Sequence, residues 1–265
     1  MSKANIKQAQ SILMANGFPL PRFGADGDFG NETMQAFTAA MSQLQDLRGG
    51  APVPAPTPAP RNRIDPAGFK KFAPRAIPGT LEALEAAISH YPELQEPLPL
   101  AHWLGQMWVE SQGFSTMVEN LNYSVDGLLN TFGRHRISAE DAKKYGRAAG
   151  RPANQEAIAN IIYGGEFGRT QLGNTQPGDG WRFRGSGYKQ ITGRANTERS
   201  GFTPEQLRED PVASARAAAD FFVSRKCVAP ARQDNVEAVT RIVNGGTNGL
   251  AERRTKTAEA KRILV

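Results

Sequence analysis

The chain has 265 residues, 39% of them hydrophobic and 22% charged, and its formal net charge is +6. This is the composition of a soluble globular protein with room for one large domain or for a large and a small one, and no apolar run approaches the roughly 20 residues needed to cross a bilayer. The single cysteine, Cys227, excludes an intramolecular disulfide, and none of the three histidines has the companions expected of a zinc amidase or peptidase.

The positive charge is unevenly distributed along the chain. Residues 1–48 carry four basic and four acidic side chains, so the whole excess lies beyond them. A basic body favours an anionic partner, and charge alone leaves nucleic acid, a membrane surface and an acidic cell-wall polymer open. The amino terminus lacks the apolar core of a signal peptide, so we expect synthesis in the cytosol with no general-secretion route.

The first 48 residues predict a small helical module. Apolar residues at helical spacing mark one helix that is ended by Asn16-Gly17 and a second that opens after Asn31. These residues are Ile6, Ala9 and Leu13 in the first helix, and Met34, Phe37, Met41 and Leu44 in the second.

The turn between these helices, residues 26–33, reads Asp-Gly-Asp-Phe-Gly-Asn-Glu-Thr. It resembles the Asp-Gly-x-Phe-Gly-x-x-Thr signature of the small three-helix peptidoglycan-binding domains, over about residues 3–45. The resemblance implies a wall-binding domain at 1–48, with Asp26, Asp28 and Phe29 as wall-binding residues. A plain helical hairpin is the alternative, whereas a calcium loop that starts at Asp26 would need glutamate where Phe37 stands.

Residues 49–63 predict a linker rich in proline and alanine, with proline at every second position from Pro52 to Pro60. Such a segment favours extended polyproline II, and twelve residues at about 3.1 Å each would separate two modules by up to roughly 37 Å. A ligand for an SH3 domain is the alternative use of this composition.

Residues 64–265 predict a mainly α-helical domain. Helical spacing recurs in three separate segments, and few segments show the alternation expected of strands. The clearest helical segments are Leu81–Ile88, Ala217–Val223 and Val236–Val243.

Two glutamates nine residues apart, Glu110 and Glu119, are the candidate catalytic pair. Glu110 continues the helical spacing of Leu100, Trp103 and Met107, so we expect it on a core-facing, apolar stripe where its carboxyl group would keep a proton and act as a general acid. A chain break at Gly113 would bring Glu119 across a cleft from it, and a gap of about 6.5–9.5 Å would leave room for a water molecule. A solvated or ion-paired structural role is the alternative for both residues.

A second informative stretch, residues 178–196, interleaves glycine, aromatic and hydrogen-bonding residues, a mixture that suits a sugar ligand. If the chain is extended there, Tyr188, Gln190 and Thr192 project on one side. A nucleotide-binding Gly-x-Gly-x-x-Gly loop would need glycine at Gln190.

Six motifs occur in one order along the chain: Glu110-Ser-x-Gly-Phe, Glu119-Asn-Leu-Asn-Tyr-Ser, Gly173-Asn-Thr, Gly178-Asp-Gly-Trp-Arg-Phe-Arg-Gly-x-Gly, Gln190-Ile-Thr-Gly-Arg-x-Asn and Asn244-Gly-Gly. Over about residues 66–260 this order resembles the family 19 glycoside hydrolases, and specifically their chitinase-like bacteriophage endolysins. Two positions depart from the family pattern, because Ser186 stands where arginine is frequent and Thr197 where an aromatic residue is usual.

The resemblance implies a lysozyme-like α-helical catalytic domain with a cleft and no metal or other cofactor. It makes Glu110 the general acid and Glu119 the general base, and it gives Thr192 the task of holding the attacking water. Candidate sugar-binding residues are Gln190, Asn196, Asn244, Tyr188, Tyr123 and Trp181. Asn244 and Gln190 also have structural alternatives, as part of a helix cap and as a partner of buried backbone.

The sequence therefore predicts an endolysin that cuts β-1,4 bonds of bacterial peptidoglycan with inversion. Peptidoglycan is the expected partner of a monomeric protein that binds no nucleic acid and does not insert stably into a membrane. We expect the enzyme in the host cytoplasm after synthesis and at the periplasmic wall after the membrane is permeabilised. A chitinase and a wall-binding protein with an inactive hydrolase body remain the alternatives.

Overall fold

The computed structural model describes residues 3–18, 20, 25, 27–47 and 63–265. The chain divides into two compact units, Met1–Pro60 and Arg61–Val265. Asp26 and all of the predicted linker except Arg63 lie outside the described residues.

The described part of the first unit contains helices α1 (Lys3–Ala15) and α2 (Asn31–Leu47), as the apolar spacing predicted. Gln10 of α1 connects them, because its side chain donates hydrogen bonds to the Asp28 carbonyl and the Thr33 hydroxyl and accepts one from the Gly27 N–H, all at 2.7–2.8 Å. Gly27 has a left-handed φ of +87°, and a Cβ there would lie 2.8 Å from the Lys3 carbonyl oxygen. The glycine of the motif is therefore needed for packing of the turn on α1.

The predicted wall-binding residues in this turn differ in their surroundings. The Asp28 carboxylate forms an ion pair with Lys3 at 2.9 Å, and Phe29 is exposed. Met34, Phe37 and Met41 on α2 are also exposed, although their spacing marked the helix correctly. The described residues of this unit contain two helices, and the third helix of the expected domain stays a prediction.

The second unit is mainly α-helical, as predicted, and its described β structure consists of isolated bridges. The helices are α3 (Pro66–Phe72), α4 (Thr80–His90), α5 (Pro97–Glu110), α6 (Val125–Phe132), α7 (Ala139–Tyr145), α8 (Gln155–Ile162), α9 (Gly165–Phe167), α10 (Asp179–Arg182), α11 (Arg194–Arg199), α12 (Pro204–Glu209), α13 (Pro211–Ser224), α14 (Val228–Arg232), α15 (Val236–Asn244) and α16 (Leu250–Lys261). A 3₁₀ turn at Pro92–Gln95 and a π-helical turn at Gly168–Leu172 complete the set. None of the described helices has the length and apolarity to cross a membrane.

Helix α5 forms the centre of the larger apolar core, with Trp103, Leu104 and Met107 fully buried. Its most extensive contact is with α16. Gly105 makes that contact possible, because a Cβ there would lie 2.5–2.8 Å from atoms of Thr257 on α16. The close approach of these helices brings the carboxyl end of α5 beside the first half of α16.

A second apolar cluster is built around Leu121, Leu128, Ile158 and Ile162. Met117 belongs to the first cluster and Leu121 to the second, so the segment that carries Glu119 passes from one to the other.

Candidate active site

Helix α5 ends at Glu110, and the chain reverses in a strained turn directly after it. Gln112, Gly113 and Phe114 all have left-handed φ angles, of 53°, 78° and 56°. The Ser111 hydroxyl stabilises this turn by accepting a hydrogen bond from the Phe114 N–H at 3.0 Å. The predicted break at Gly113 is confirmed, and two residues other than glycine share its unusual conformation.

The Glu110 carboxylate lies between two cations. Its Oε1 accepts a hydrogen bond from Arg253 of α16 at 2.6 Å, and its Oε2 accepts one from Lys189 at 3.1 Å. The side chains of Glu110, Arg253 and Lys189 are 11%, 4% and 10% exposed. The expected apolar environment is therefore wrong, because helical spacing placed Glu110 on a core-facing stripe but could not show that α16 and Lys189 supply cations there.

The Glu119 carboxylate is held by uncharged donors. Tyr163 donates its hydroxyl proton to Oε1 at 2.6 Å, and the Gly185 N–H donates to Oε2 at 2.8 Å. The backbone of Glu119 also pairs with Gly185, since its N–H donates to the Gly185 carbonyl at 3.0 Å. A Cβ at Gly185 would lie 3.1 Å from the Glu119 carboxylate and 2.8 Å from the Gln190 side-chain oxygen. Glycine is thus required for the two loops to meet.

This pairing joins the two stretches that the sequence singled out. Val118 forms an antiparallel bridge with Ser186, and Ser186 forms another with Ile191. The Glu119 segment and the sugar-binding stretch therefore share one local framework, while the carboxylate separation of 6.5–9.5 Å stays a prediction.

Tyr163 has no counterpart among the predicted site residues. Burial raises the pKa of its phenol well above the usual range, and the negative charge of Glu119 raises it further. The phenol therefore keeps its proton and acts as a permanent donor to Glu119. Nothing in its sequence setting, Ile-Ile-Tyr-Gly-Gly, indicates this contact 44 residues away.

Tyr163→Phe is expected to lower kcat about tenfold with little change in KM, because it removes one hydrogen bond that orients a charged group. The control is Tyr145→Phe, because Tyr145 and Tyr163 both pack against the second apolar cluster. This variant should leave kcat unchanged. Steady-state rates on a soluble glycan would measure both, and an unchanged kcat in Tyr163→Phe would remove the phenol from the positioning of Glu119.

The sugar-binding stretch is not extended at Tyr188, contrary to expectation. Residues 187–190 form a turn closed by a hydrogen bond from the Gln190 N–H to the Gly187 carbonyl, and Gln190 has a left-handed φ of 55°. The Tyr188 side chain is fully buried, with its hydroxyl 2.8 Å from that of Thr80 and its ring edge-on to Phe114. The prediction that Tyr188 faces the sugar is therefore wrong, because the turn directs it into the core.

Three other predicted residues of this stretch line one cavity of about 240 Å³: Gln190, Thr192 and Asn196. Gln190 donates to the Gly187 carbonyl at 2.9 Å, which agrees with its structural alternative. The Thr192 hydroxyl donates to the Gln190 carbonyl at 3.2 Å, and the Asn196 amide donates to the Thr192 carbonyl at 2.8 Å. These side chains are half-buried, and their sugar-binding roles stay predictions.

The last three predicted sugar contacts do not line that cavity, and two of them, Trp181 and Tyr123, pack against the second apolar cluster. Asn244 ends α15, and Gly245 follows it with a left-handed φ of 75°, as the capping alternative requires. The Asn244 side-chain nitrogen is buried without a hydrogen-bond partner in the described residues. Trp181 is covered on one face by the Arg184 guanidinium, 3.5 Å from the ring centroid. Burial raises the pKa of the Tyr123 phenol, and the negative charge of Glu119 raises it further.

Asp179 anchors the stretch at its beginning. Its nearly buried carboxylate accepts hydrogen bonds from the Thr175 and Gln176 N–H groups and two from Arg194, at 2.6–3.0 Å. Burial raises the pKa of Asp179, but the Arg194 and backbone hydrogen bonds together lower it below its ordinary value.

Asp179→Asn is expected to reduce the free energy of unfolding at neutral pH by about 3 kcal/mol, because it leaves a charged partner uncompensated. Because the pKa of Asp179 is lower in the native state than in the unfolded state, its ionised carboxylate stabilises the fold at pH values above the unfolded-state pKa of about 3.9. That contribution disappears as the pH falls through the native value, so the difference between wild type and variant should shrink in acid. Urea unfolding at pH 7 and pH 3 would measure it.

The control is Glu198→Gln, which removes the other carboxylate partner of Arg194. The Glu198 carboxylate lies 3.4 Å from the Arg194 guanidinium, and its side chain is 64% exposed. Its effect should stay below about 1 kcal/mol, because exposed ion pairs contribute little. Equal losses in the two variants would contradict an anchoring role for Asp179.

The described residues contain no group of three or more His, Cys, Asp or Glu side chains that could hold a metal ion. Cys227 is buried, and burial raises its thiol pKa to about 12. It is therefore a thiol at neutral pH and not a nucleophile.

Over 191 residues, the chain is 36% identical to a glycosyl hydrolase family 19 domain-containing protein of Haemophilus influenzae, a match that covers 70% of this chain and 89% of that protein. A 73-residue segment is 40% identical to an N-acetylmuramoyl-L-alanine amidase of Bacillus licheniformis, covering 28% of this chain and 19% of the amidase. Among solved structures, chitinase C from Streptomyces griseus HUT6037 is 15% identical, with a TM-score of 0.49 over 78% of this chain and 95% of that one. No protein-family model matches the chain.

Proposed function

Because the chain belongs to glycosyl hydrolase family 19, we propose that it is an endolysin that hydrolyses the β-1,4 glycan of bacterial peptidoglycan with inversion. The observation that carries the proposal is the placement of two carboxylates in different settings, with Glu110 between two cations and Glu119 between two neutral donors. Such a difference suits two carboxylates with two roles.

Glu110 is proposed as the general acid. Its carboxyl group must carry a proton when the glycosidic oxygen arrives and must lose it as the bond breaks. Arg253 and Lys189 interact more strongly with the resulting carboxylate than with the acid, because hydrogen bonds between charged groups are the stronger ones. The two cations therefore stabilise the carboxylate that remains on Glu110 once its proton has moved to the leaving oxygen.

Glu119 is proposed as the general base. Tyr163 and the Gly185 N–H each occupy one of its oxygens, and each oxygen retains a further lone pair that can accept a proton from water. Water attacks the sugar on the face opposite the leaving group, and Thr192 helps to hold it. The carbon–oxygen bond to the leaving sugar breaks as the bond to water forms, so one step completes the hydrolysis.

Two observations support peptidoglycan as the substrate. A segment of the chain resembles an amidase whose name refers to N-acetylmuramoyl-L-alanine, a constituent of peptidoglycan. The excess positive charge of the body also favours an acidic polymer over chitin, which is neutral.

Chitin is the alternative substrate, since both carboxylates would serve it equally. Activity gels that contain either bacterial walls or chitin would separate the two. We expect clearing with walls and weak or no clearing with chitin, and the reverse pattern would make the protein a chitinase. An absence of clearing on both would favour a wall-binding protein with an inactive body.

The unit Met1–Pro60 is proposed to bind the wall and so to raise the local substrate concentration for the catalytic unit. Phe29 is exposed and available for such a contact. A fragment of residues 1–60 should sediment with purified walls. Its recovery in the supernatant, while the full chain sediments, would contradict this assignment.

A further inference from the structure

The cavity of about 240 Å³ that Gln190, Thr192 and Asn196 line also has charged residues in its lining. Its charged residues are Lys189, Arg199, Arg225 and Asp220. Lys189 also contacts Glu110, so the cavity adjoins the proposed acid. Thr192, proposed to hold the attacking water, lines the same cavity.

The two arginines keep hydrogen-bonding capacity that the fold does not use. Both are exposed, and neither forms an ion pair with a carboxylate in the described part of the chain. Arg199 donates one hydrogen bond, to the Asn196 side-chain oxygen at 3.0 Å. The Arg225 guanidinium lies 5.7 Å from the Phe221 ring centroid. A guanidinium has five N–H donors, so Arg199 and Arg225 each retain donors that can bind an anion.

The charge balance of the lining also favours an anion. Lys189 is matched by Glu110, which leaves Arg199 and Arg225 against Asp220. Asp220 has a partner of its own, the Tyr91 hydroxyl at 3.5 Å. The lining of the cavity therefore carries a net positive charge.

We infer that Arg199 and Arg225 bind a carboxylate of the substrate and that this contact favours peptidoglycan over chitin. The inference rests on the proposed function. Peptidoglycan carries free carboxylates on its stem peptides, and a lactyl carboxylate on its muramic acid only where the stem has been removed, because the stem is amide-linked to that group. Chitin consists of neutral N-acetylglucosamine. Guanidinium groups match carboxylates in shape as well as in charge.

A structural role is the alternative explanation. Arg199 is the last residue of α11, and Arg225 follows the last residue of α13. Cations at helix carboxyl ends interact favourably with the helix dipole. Such a role would change thermal stability without any dependence on the charge of the substrate.

The test is a kinetic comparison of the full-length wild type with the double variant Arg199→Gln, Arg225→Gln. The control is Lys70→Gln, Lys143→Gln, which removes two exposed cations from the last turns of α3 and α7, outside the cavity. Three soluble substrates are used: peptidoglycan fragments with free stem carboxylates, the same fragments with all carboxyl groups amidated, and the glycan after removal of its stem peptides.

The arginine variant should raise KM on the acidic fragments roughly tenfold, as loss of two partly exposed ion pairs implies, with kcat and melting temperature close to the control. On the amidated fragments its KM should equal that of the wild type. A defect confined to fragments with intact stems would assign the contact to a carboxylate of the stem peptide. A defect on the stripped glycan as well would show that the arginines also bind the lactyl carboxylate that removal of the stem sets free.

An unchanged KM on the acidic fragments, or an equal loss on the amidated ones, would overturn the assignment while leaving the proposed function intact. A wild type that releases no reducing ends from any of the three substrates would instead overturn the proposed function, and this inference with it.

Discussion

Glu110→Gln is expected to lower kcat on a natural glycan by roughly 10²–10⁴-fold, because glutamine keeps the shape of the side chain but has no proton to give to the leaving oxygen. The loss should be much smaller on a substrate with a dinitrophenyl leaving group, which departs without protonation. This dependence on the leaving group distinguishes loss of the acid from general damage to the site.

The same variant should also be less stable, by roughly 3 kcal/mol, because it leaves Arg253 and Lys189 without their shared anion in a nearly buried position. Activity must therefore be measured where circular dichroism shows a folded protein. Glu237→Gln is the control, since Glu237 also pairs with two arginines but is 41% exposed. Full activity of folded Glu110→Gln on the natural glycan would exclude Glu110 as the acid.

Glu119→Gln is expected to lower kcat by a similar factor, but equally on natural and activated substrates, because water must be activated whatever the leaving group is. Its effect on stability should be small, since no buried cation loses a partner. A variant that recovers on the dinitrophenyl substrate would show that Glu119 protonates the leaving group, which would exchange the two proposed roles.

The features of the site that depend on local sequence could be predicted. The chain break at Gly113 follows from the conformational freedom of glycine, and the structure confirms it in a turn that begins directly after α5 ends at Glu110. The mainly α-helical fold follows from the same periodicity.

Contacts between distant segments could not be predicted in this way. Arg253 meets Glu110 from 143 residues away, because Gly105 lets α16 approach α5 closely. The helical spacing in the sequence predicts that Glu110 faces the core, but not that a neighbouring helix supplies a cation there. The environment of the proposed acid was consequently predicted as apolar, whereas it is charged.

Tyr188 shows a different limit of sequence analysis. The alternation that placed it beside Gln190 and Thr192 assumes an extended chain, and the turn at residues 187–190 violates that assumption. Once the chain turns, an aromatic ring gains more from burial against Phe114 than from exposure in a polar cleft.

The anomeric configuration of the first reducing ends released from peptidoglycan glycan tests the proposed mechanism most directly, read by proton NMR before mutarotation. Direct attack of water activated by Glu119 predicts the α-anomer and no trapped glycosyl-enzyme. The β-anomer would contradict inversion, because it requires a carboxylate close enough to attack the sugar. A 1,6-anhydro end would contradict hydrolysis altogether, because a lytic transglycosylase uses no water and would make Glu119 dispensable.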